Sequence, residues 1–174
     1  MDALLLRDWK GQDTAGWLMS EKRDGWRLLW DGADFFSRQG QRFDVPEWFK
    51  AGMPDTPLDG ELFAGRGMFN SIQARIRDGW HGLTFEIFDA PAAGGTFAER
   101  MAFSQRLYLP SHARLVEHVT CDGAEHMRSA AASIIREGGE GVVMRNPIAY
   151  WKPGRSLDVL RWVPIDPKHN RLAV

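Results

Sequence analysis

The sequence predicts an α+β domain in which helices pack on antiparallel sheets. Most of the predicted elements are short strands, because apolar and polar residues alternate along them. Turn signals such as Asp31-Gly32 separate neighbouring strands and indicate hairpins, which join antiparallel partners. A smaller number of segments have helical spacing and helix-start signals, so we expect these helices to cover the sheets.

Length and composition limit the fold and the class of protein further. A chain of 174 residues is long enough for a proper core, and we expect residues 1–174 to form a single domain. The net charge of −1 means that any contact with a polyanion must be a local basic patch. One cysteine, Cys121, cannot form an internal disulfide, and no apolar run reaches the ~18 residues of a membrane span. The N-terminus also lacks the apolar core of a signal peptide, so we expect a cytoplasmic protein without membrane contact.

The elements are expected in a simple order. Residues 1–14 form a lead-in that packs against the domain, and strands cover residues 15–19, 26–31, 35–38, 58–63, 83–88, 114–119, 142–144 and 157–163. Helices cover residues 45–49, 69–77, a segment from Thr96 onward, and 122–136. Thr96 and Glu99 have the spacing of a capping box, Asp122 opens the last helix, and Gly138-Gly139 ends it.

A charged heptapeptide lies between the first two predicted strands and has the sequence Glu21-Lys22-Arg23-Asp24-Gly25-Trp26-Arg27. Its context predicts strand, tight turn, strand, which holds the Lys22 amine at the rim of a sheet, where it can act as a nucleophile. Taken alone, the heptapeptide fits a β-hairpin with exposed, solvated charges better than a catalytic site. Four further segments change that interpretation.

These segments follow in order as Ser37-Arg38-Gln39-Gly40, Leu58-Asp59-Gly60-Glu61-Leu62, Phe85-Glu86-Ile87-Phe88-Asp89 and Glu140-Gly141-Val142-Val143-Met144-Arg145. Together with the heptapeptide they resemble the ordered motifs of the covalent nucleotidyltransferases, and specifically the adenylation domain of the ATP-dependent DNA ligases. In particular, they are similar to the minimal ligases of bacteria and phages. The resemblance runs from about Trp17 to Trp162 and implies the covalent nucleotidyltransferase fold.

The resemblance implies a role for each charged residue of the heptapeptide that matches the family motif. Lys22 is expected to attack the α-phosphate of ATP, release pyrophosphate and carry AMP as a phosphoramidate. Asp24 matches the acid that lies near the nick in the sealing step. Glu21 matches the residue at the adenine edge, and Arg27 matches the arginine that contacts the nucleotide sugar.

Residues of the later motifs acquire roles from the resemblance in the same way. Glu61 matches the glutamate that contacts the ribose, and Phe88 matches the aromatic residue that stacks on adenine; without the resemblance Phe88 is a core phenylalanine. Arg38 matches the arginine aimed at the 5′-phosphate of the nick, and is otherwise a surface residue of a hairpin. Glu140 matches the carboxylate that holds Mg²⁺, an ion that takes one or two protein carboxylates together with substrate phosphates.

The chain departs from the family pattern in two places. The last family motif is Lys-x-Lys on a strand, and the corresponding residues are Arg161 and Val163. Arg161 is expected to bind the nucleotide phosphates, whereas Val163 brings no charge, which predicts slow self-adenylation unless Lys152 or Arg155 substitutes. The second departure is that eleven residues follow Val163, too few for the oligonucleotide-binding-fold domain of ligases, so we expect no such C-terminal domain.

The segment from residue 151 to the C-terminus contains five basic and two acidic residues. Lys152 and Arg155 within it are candidates for nucleic-acid contacts, together with Arg38, and the alternative is a solvated tail. Arg66, in the tight loop Gly65-Arg66-Gly67, is a further candidate for a contact with a phosphate backbone.

The sequence therefore predicts a monomeric ligase that uses ATP and Mg²⁺ and seals nicked duplex DNA through a lysyl-AMP intermediate. Three alternatives remain open at this point. They are an RNA ligase, a protein that seals only pre-adenylated ends, and a catalytically weakened nick-binding protein.

Overall fold

The computed structural model describes residues 3–164, which build two five-stranded sheets. The strands are β1 (Leu4–Asp8), β2 (Leu18–Glu21), β3 (Trp26–Trp30), β4 (Phe35–Ser37), β5 (Leu58–Phe63), β6 (Thr84–Asp89), β7 (Ala113–Leu115), β8 (Val119–Thr120), β9 (Val142–Arg145) and β10 (Gly154–Trp162). The first sheet has the order β1-β10-β9-β2-β8 and the second has the order β4-β3-β5-β6-β7. Neighbours are antiparallel, as predicted, except for the edge pairs β1–β10 and β6–β7, which are parallel. Lys168 and Arg171 of the basic C-terminal segment lie outside the described residues.

Four helices connect and cover the sheets: α1 (Glu47–Lys50), α2 (Ile72–Arg77), α3 (Phe97–Ser104) and α4 (Ala124–Arg136). The predicted capping box is confirmed, because the Thr96 hydroxyl accepts from the Glu99 amide and the Glu99 carboxylate accepts from the Thr96 amide. The prediction that Asp122 opens the last helix is wrong. Gly123 is the N-cap residue of α4, at φ 113°, where a residue with a side chain is strained. None of the helices within residues 3–164 has the length and apolar character of a membrane span.

Each sheet packs one face against its own apolar core, because side chains along a strand alternate between the two faces. The second sheet buries a cluster of aromatic rings, in which Phe35 lies 5.2 Å from Phe85 and 5.7 Å from Phe49, measured between ring centroids. The first sheet buries Met19 and Met144 under α4. The opposite faces carry the charged residues, and these two charged faces line a common cleft.

Three expectations about local structure are wrong. Residues 1–14 are more than a lead-in, since they contain β1, an edge strand of the first sheet. The strand expected at residues 114–119 is two short strands, β7 and β8, which belong to different sheets. The expected hairpin around Lys22 does not form, because β2 pairs with β8 and β9 while β3 pairs with β4 and β5. In each case the local pattern contained no information about the pairing partner.

A buried ion pair connects α3 to the second sheet. The Arg100 guanidinium donates from Nε to one Asp89 oxygen at 2.7 Å and from Nη2 to the other at 3.0 Å. Both side chains are almost completely buried, with 2% and 1% of their surface exposed. The Arg100 Nη1 also donates to the Gly95 carbonyl at 2.9 Å, so the charge is surrounded by acceptors.

We predict that Arg100→Met destabilises the fold by about 3–5 kcal/mol, because it leaves the Asp89 carboxylate buried without its partner. The measurement is the free energy of unfolding in urea. Arg42→Met is the matched control: Arg42 also pairs with an aspartate, Asp34, but its side chain is 62% exposed, so its removal should leave the unfolding free energy almost unchanged. Equal effects of the two substitutions would contradict the prediction.

Candidate active site

The segment from Lys22 to Gly25 carries the chain from β2 in the first sheet to β3 in the second. The Lys22 amide donates to the Gly141 carbonyl at 2.8 Å, which fixes the start of the crossing. At its end, a Cβ on Gly25 would collide with the Leu62 carbonyl oxygen and lie 2.7 Å from the Cγ of Glu61. The Asp-Gly sequence therefore serves a close approach of the crossing segment to β5 and not a hairpin turn.

The Lys22 amine lies in the cleft and contacts a carboxylate from a distant segment. Its Nζ donates to Oε2 of Glu140 at 2.5 Å, and Glu140 stands two residues before β9. Glu61, on β5, lies close enough to interact electrostatically with the charges of Lys22 and Glu140. Burial is the main cause that raises the pKa of the Glu61 carboxyl to about 7, while the charges of Arg27 and Lys22 oppose the shift. The site therefore combines one amine with two carboxyl groups from three different parts of the sequence.

The cleft has a volume of about 620 Å³ and receives residues from all five sequence motifs. Of the residues predicted to act in the site, those that line it are Glu21, Lys22, Arg27, Arg38, Glu61, Phe88, Arg155 and Arg161. Glu140 meets the cleft through its contact with Lys22, and Asp24 lies half-buried in the crossing. Lys152 is exposed and does not line the cleft. The volume falls in the range of cofactor sites, ~300–1,000 Å³.

Arg27 and Phe88 form one wall of this cleft. The Arg27 guanidinium makes two hydrogen bonds to the buried Asp59 carboxylate, at 2.5 and 2.6 Å, and one to the Leu4 carbonyl at 3.1 Å. It also lies over the Phe88 ring, 4.5 Å from the centroid. The orientation of Arg27 is therefore set by the protein, and the ring beside it is held at the surface of the cleft.

Arg145, the last residue of β9, is a buried cation next to the same ring. Its guanidinium lies 4.7 Å from the Phe88 centroid and 5.3 Å from that of Phe97. Burial lowers the pKa of Arg145 to about 10, although the charge of Asp89 opposes this shift. Within residues 3–164, its buried Nε has no hydrogen-bond partner. Arg145 therefore supports the Phe88 wall through its contacts with both rings.

Three further cations of the cleft come from β10 and from the turn after β4. Arg155 and Arg161 both line the cleft, and Arg161 donates from Nε to Asp8 at 2.7 Å. This hydrogen bond is the main cause that lowers the pKa of the Asp8 carboxyl. Arg38 is exposed beyond the end of β4, at the rim. Val163 follows the end of β10, is exposed and is not among the residues of the lining.

One wall of the cleft was missed in the sequence. Residues Leu5 to Asp8 of β1 line it, although the segment was expected to be a lead-in. The run Leu4-Leu5-Leu6 was the available signal for a strand, but the parallel pairing of β1 with β10 could not be read from it. Arg66, a candidate for a contact with a phosphate backbone, also does not line the cleft. Its guanidinium is instead bound to Glu21 and Glu137.

The donor set of the cleft fits a metal ion that arrives with a phosphate ligand. Among the described residues there is no group of three His, Cys, Asp or Glu side chains that could hold a metal. Glu140 and Glu61 are two carboxyl groups near Lys22, and Mg²⁺ is commonly bound by one or two carboxylates together with substrate phosphates and water. These two residues are therefore the candidates for holding such an ion.

Comparisons with known proteins find DNA ligases that are similar to this chain in sequence or in fold. No family model matches the chain. A DNA ligase from Haemophilus influenzae is 36% identical over 168 residues, which cover 92% of this chain. The chain spans 62% of the length of that relative.

Solved structures of DNA ligases have the same fold. A structure of a Lig E DNA ligase matches with a TM-score of 0.85 and 25% identity, covering 94% of this chain and 69% of the other. The DNA ligase-adenylate of Chlorella virus matches with a TM-score of 0.76 and 17% identity, covering 93% and 67%. The ATP-dependent DNA ligase of bacteriophage T7 matches with a TM-score of 0.67 and 14% identity, covering 95% and 69%. The predicted nucleotidyltransferase fold class is confirmed.

We predict that the ionisation of Glu61 gives the stability of the fold a pH dependence. Because the pKa of the Glu61 carboxyl is raised from its ordinary value of 4.5 to about 7, the folded state binds this proton more tightly than the unfolded state. The stabilisation is therefore complete below about pH 4.5 and is lost as pH rises through about 7. Glu61→Gln should remove that dependence and raise the unfolding free energy at pH 8 by about 1–3 kcal/mol relative to the parent.

The measurement is urea unfolding of both proteins between pH 4.5 and pH 8. Glu47→Gln is the control, because the Glu47 side chain is 88% exposed and should leave the pH profile unchanged. Parallel pH profiles for the parent and Glu61→Gln would show that the Glu61 carboxyl titrates normally.

Proposed function

We propose that this chain is a member of the ATP-dependent DNA ligase family by its adenylation domain, and that it seals nicked duplex DNA through a covalent lysyl-AMP intermediate. We further propose that it acts as a monomer in the cytoplasm. The observation that carries the proposal is that residues from five separate sequence motifs line a single cleft around Lys22. Neither a hairpin with solvated charges nor a set of unrelated core residues would bring them together.

In the first step, the Lys22 amine attacks the α-phosphate of ATP. A nitrogen–phosphorus bond forms, and the bond between the α-phosphorus and the oxygen that bridges to the β-phosphate breaks. Pyrophosphate then leaves. The Glu140 carboxylate, 2.5 Å from Nζ, orients the amine before the reaction. Catalysis of this kind depends on positioning and on neutralising negative charge, and the pocket contains the required cations.

The nucleoside portion of ATP fits the wall that Arg27, Glu61 and Phe88 build. The Phe88 ring is proposed to stack on adenine, and Glu61 to accept from a ribose hydroxyl. Arg27 is bound to Asp59 through two nitrogens, so it can present the rest of its guanidinium to the sugar without changing its orientation.

In the later steps, AMP moves from Lys22 to a 5′-phosphate, and a 3′-hydroxyl then displaces AMP to close the nick. Arg38, exposed at the rim of the cleft, is proposed to bind the 5′-phosphate. Asp24 lies in the crossing beside Lys22 and is proposed to act near the 3′-hydroxyl. Lys152, outside the cleft, is proposed to contact the DNA backbone.

Glu140 is proposed to hold Mg²⁺ together with the phosphates of ATP. The ion would supply charge neutralisation to the α-phosphate when it is bound.

We predict that Lys22→Ala abolishes the covalent adduct. The parent protein, incubated with ATP and Mg²⁺, should gain the mass of one AMP, and the variant should gain none, because within residues 3–164 no other amine contacts Glu140. Intact mass spectrometry is the measurement. Lys50→Ala is the control, since Lys50 pairs with Asp34 and Glu47 outside the cleft and should leave the adduct unaffected. A parent protein that gains no mass sinks the proposed function.

We also predict that Arg155 replaces the lysine that Val163 does not provide. Arg155 lines the cleft, whereas Val163 and Lys152 do not, so Arg155 and Arg161 are the described residues of β10 that are placed to neutralise the pyrophosphate as it leaves. Arg155→Ala should slow self-adenylation about tenfold, which corresponds to ~1.4 kcal/mol of lost transition-state stabilisation. Sealing of a pre-adenylated nick releases AMP instead and should slow less.

Single-turnover rates of the two steps are the measurement for Arg155. Arg42→Ala is the control, because Arg42 is an exposed arginine outside the cleft. A large acceleration of self-adenylation by Val163→Lys, together with no effect of Arg155→Ala, would mean that the missing lysine has no substitute.

A further inference from the structure

An alternating series of charges runs behind the Lys22 crossing and connects both sheets. In spatial order its members are Glu137, Arg66, Glu21, Arg23, Glu86 and Arg114. Glu86 is completely buried between Arg114, at 2.6 Å, and Arg23, at 3.3 Å. At the other end, Arg66 bridges Glu21 to Glu137 at the C-terminus of α4.

Glu21 is the member of this series that lines the cleft, and its carboxylate is held by three hydrogen bonds. Arg66 donates from Nε to Oε1 and from Nη2 to Oε2, both at 2.9 Å. Arg23 donates from Nη1 to Oε2 at 2.7 Å. A carboxylate offers about four acceptor positions, so one position remains, on Oε1. Although burial acts to raise it, these hydrogen bonds and charges hold the pKa of the Glu21 carboxyl below its ordinary value, so it stays an acceptor.

The surrounding backbone passes close to that oxygen without placing a side chain against it. Gly139, just after α4, passes so close that a Cβ there would lie 2.9 Å from Oε1 of Glu21 and collide with the Ile134 side chain. On the other side, Arg66 reaches Glu21 from a loop in which Gly65 and Gly67 have φ of 114° and 69°. These left-handed conformations suit glycine, and they let the loop turn sharply after β5.

We infer that Arg66 is a positioning residue that orients Glu21 to select a purine with an amine at position 6, and so makes the site specific for adenine over guanine. This inference rests on the proposed function, which assigns the cleft to ATP. The remaining acceptor of Glu21 pairs with the N6 amine of adenine. Guanine presents its O6 acceptor at the corresponding position. The O6 atom would then face the Glu21 carboxylate oxygen, and neither atom has a proton to donate.

Arg66 matters for selection because a two-point hydrogen bond restricts rotation of the carboxylate. The guanidinium fork contacts both oxygens of Glu21, and a planar fork of this kind fixes orientation as well as charge. Without it, Arg23 alone contacts Glu21, through a single oxygen, and the carboxylate can turn away from the base. Arg66 does not line the cleft, so its effect on the base acts through Glu21.

The test is the binding of ATP and of GTP, measured by calorimetry in the Lys22→Ala background, where no adduct forms. In this background, Arg66→Ala should reduce the ratio of ATP to GTP affinity about tenfold, in line with the loss of a charged hydrogen bond. Arg66→Lys, which keeps the charge but lacks the fork, should give an intermediate ratio. Glu137→Gln removes only the outer ion pair, on a side chain that is 64% exposed, and should leave the ratio unchanged.

Each outcome bears on one proposal. An unchanged ratio in Arg66→Ala, or equal losses of ATP and GTP affinity, overturns the inference, because a merely structural role would weaken both nucleotides alike. If Arg66→Ala does not fold, a parental ratio in Arg66→Lys overturns it in the same way. Failure of ATP to bind at all also overturns it. Binding of ATP with normal selection by a parent protein that forms no AMP adduct overturns the proposed function alone.

Discussion

The close approach of Gly25 to β5 is the constraint on which the rest of the site depends. Two sheets, each with its own apolar core, turn their charged faces toward one another. The chain passes from the first sheet to the second directly after β2, at Lys22. Only a residue without a side chain fits against the Leu62 carbonyl at this point. Because the crossing is that tight, the Lys22 amine is held next to Glu140 and Glu61, which come from opposite sheets, and the nucleophile and its carboxyl neighbours share one cleft.

Several cations of the cleft are already paired with carboxylates, and the burial of each pair determines what its arginine can do. Arg27 and Asp59 are largely buried and joined by two hydrogen bonds, so exchanging Asp59 for a ligand would leave a buried charge without a partner. Arg27 therefore suits a ligand that adds to the pair, such as a sugar hydroxyl. Arg161 and Asp8 are more exposed, and such pairs contribute little to stability. Arg161 can turn to a phosphate at small cost, which agrees with its expected place beside the triphosphate.

The departures from expectation share one cause. The hairpin at Lys22, the lead-in before it and the single strand at residues 114–119 were all inferred from neighbouring residues, whereas strand partners lie far away in the chain. The effect of having Val163 in place of a lysine also depends on a strand partner that lies far away in the chain. The sequence identified the missing charge and named two possible substitutes, but only the parallel pairing of β1 with β10 explains why Arg155 is in the cleft and Lys152 is not.

The sequence by itself determined the fold class, the positions of most strands and helices, the Thr96–Glu99 capping box and several of the residues that meet in the cleft. It could do so because alternation, capping and motif order are local properties that survive in any one sequence. The tertiary structure alone decided that Lys22 lies on a crossing between sheets, that β1 is a wall of the cleft, and that Arg66 holds Glu21. These features depend on contacts between residues more than 40 positions apart, such as Arg66 with Glu21, and no local pattern encodes which distant carboxylate a given arginine will meet.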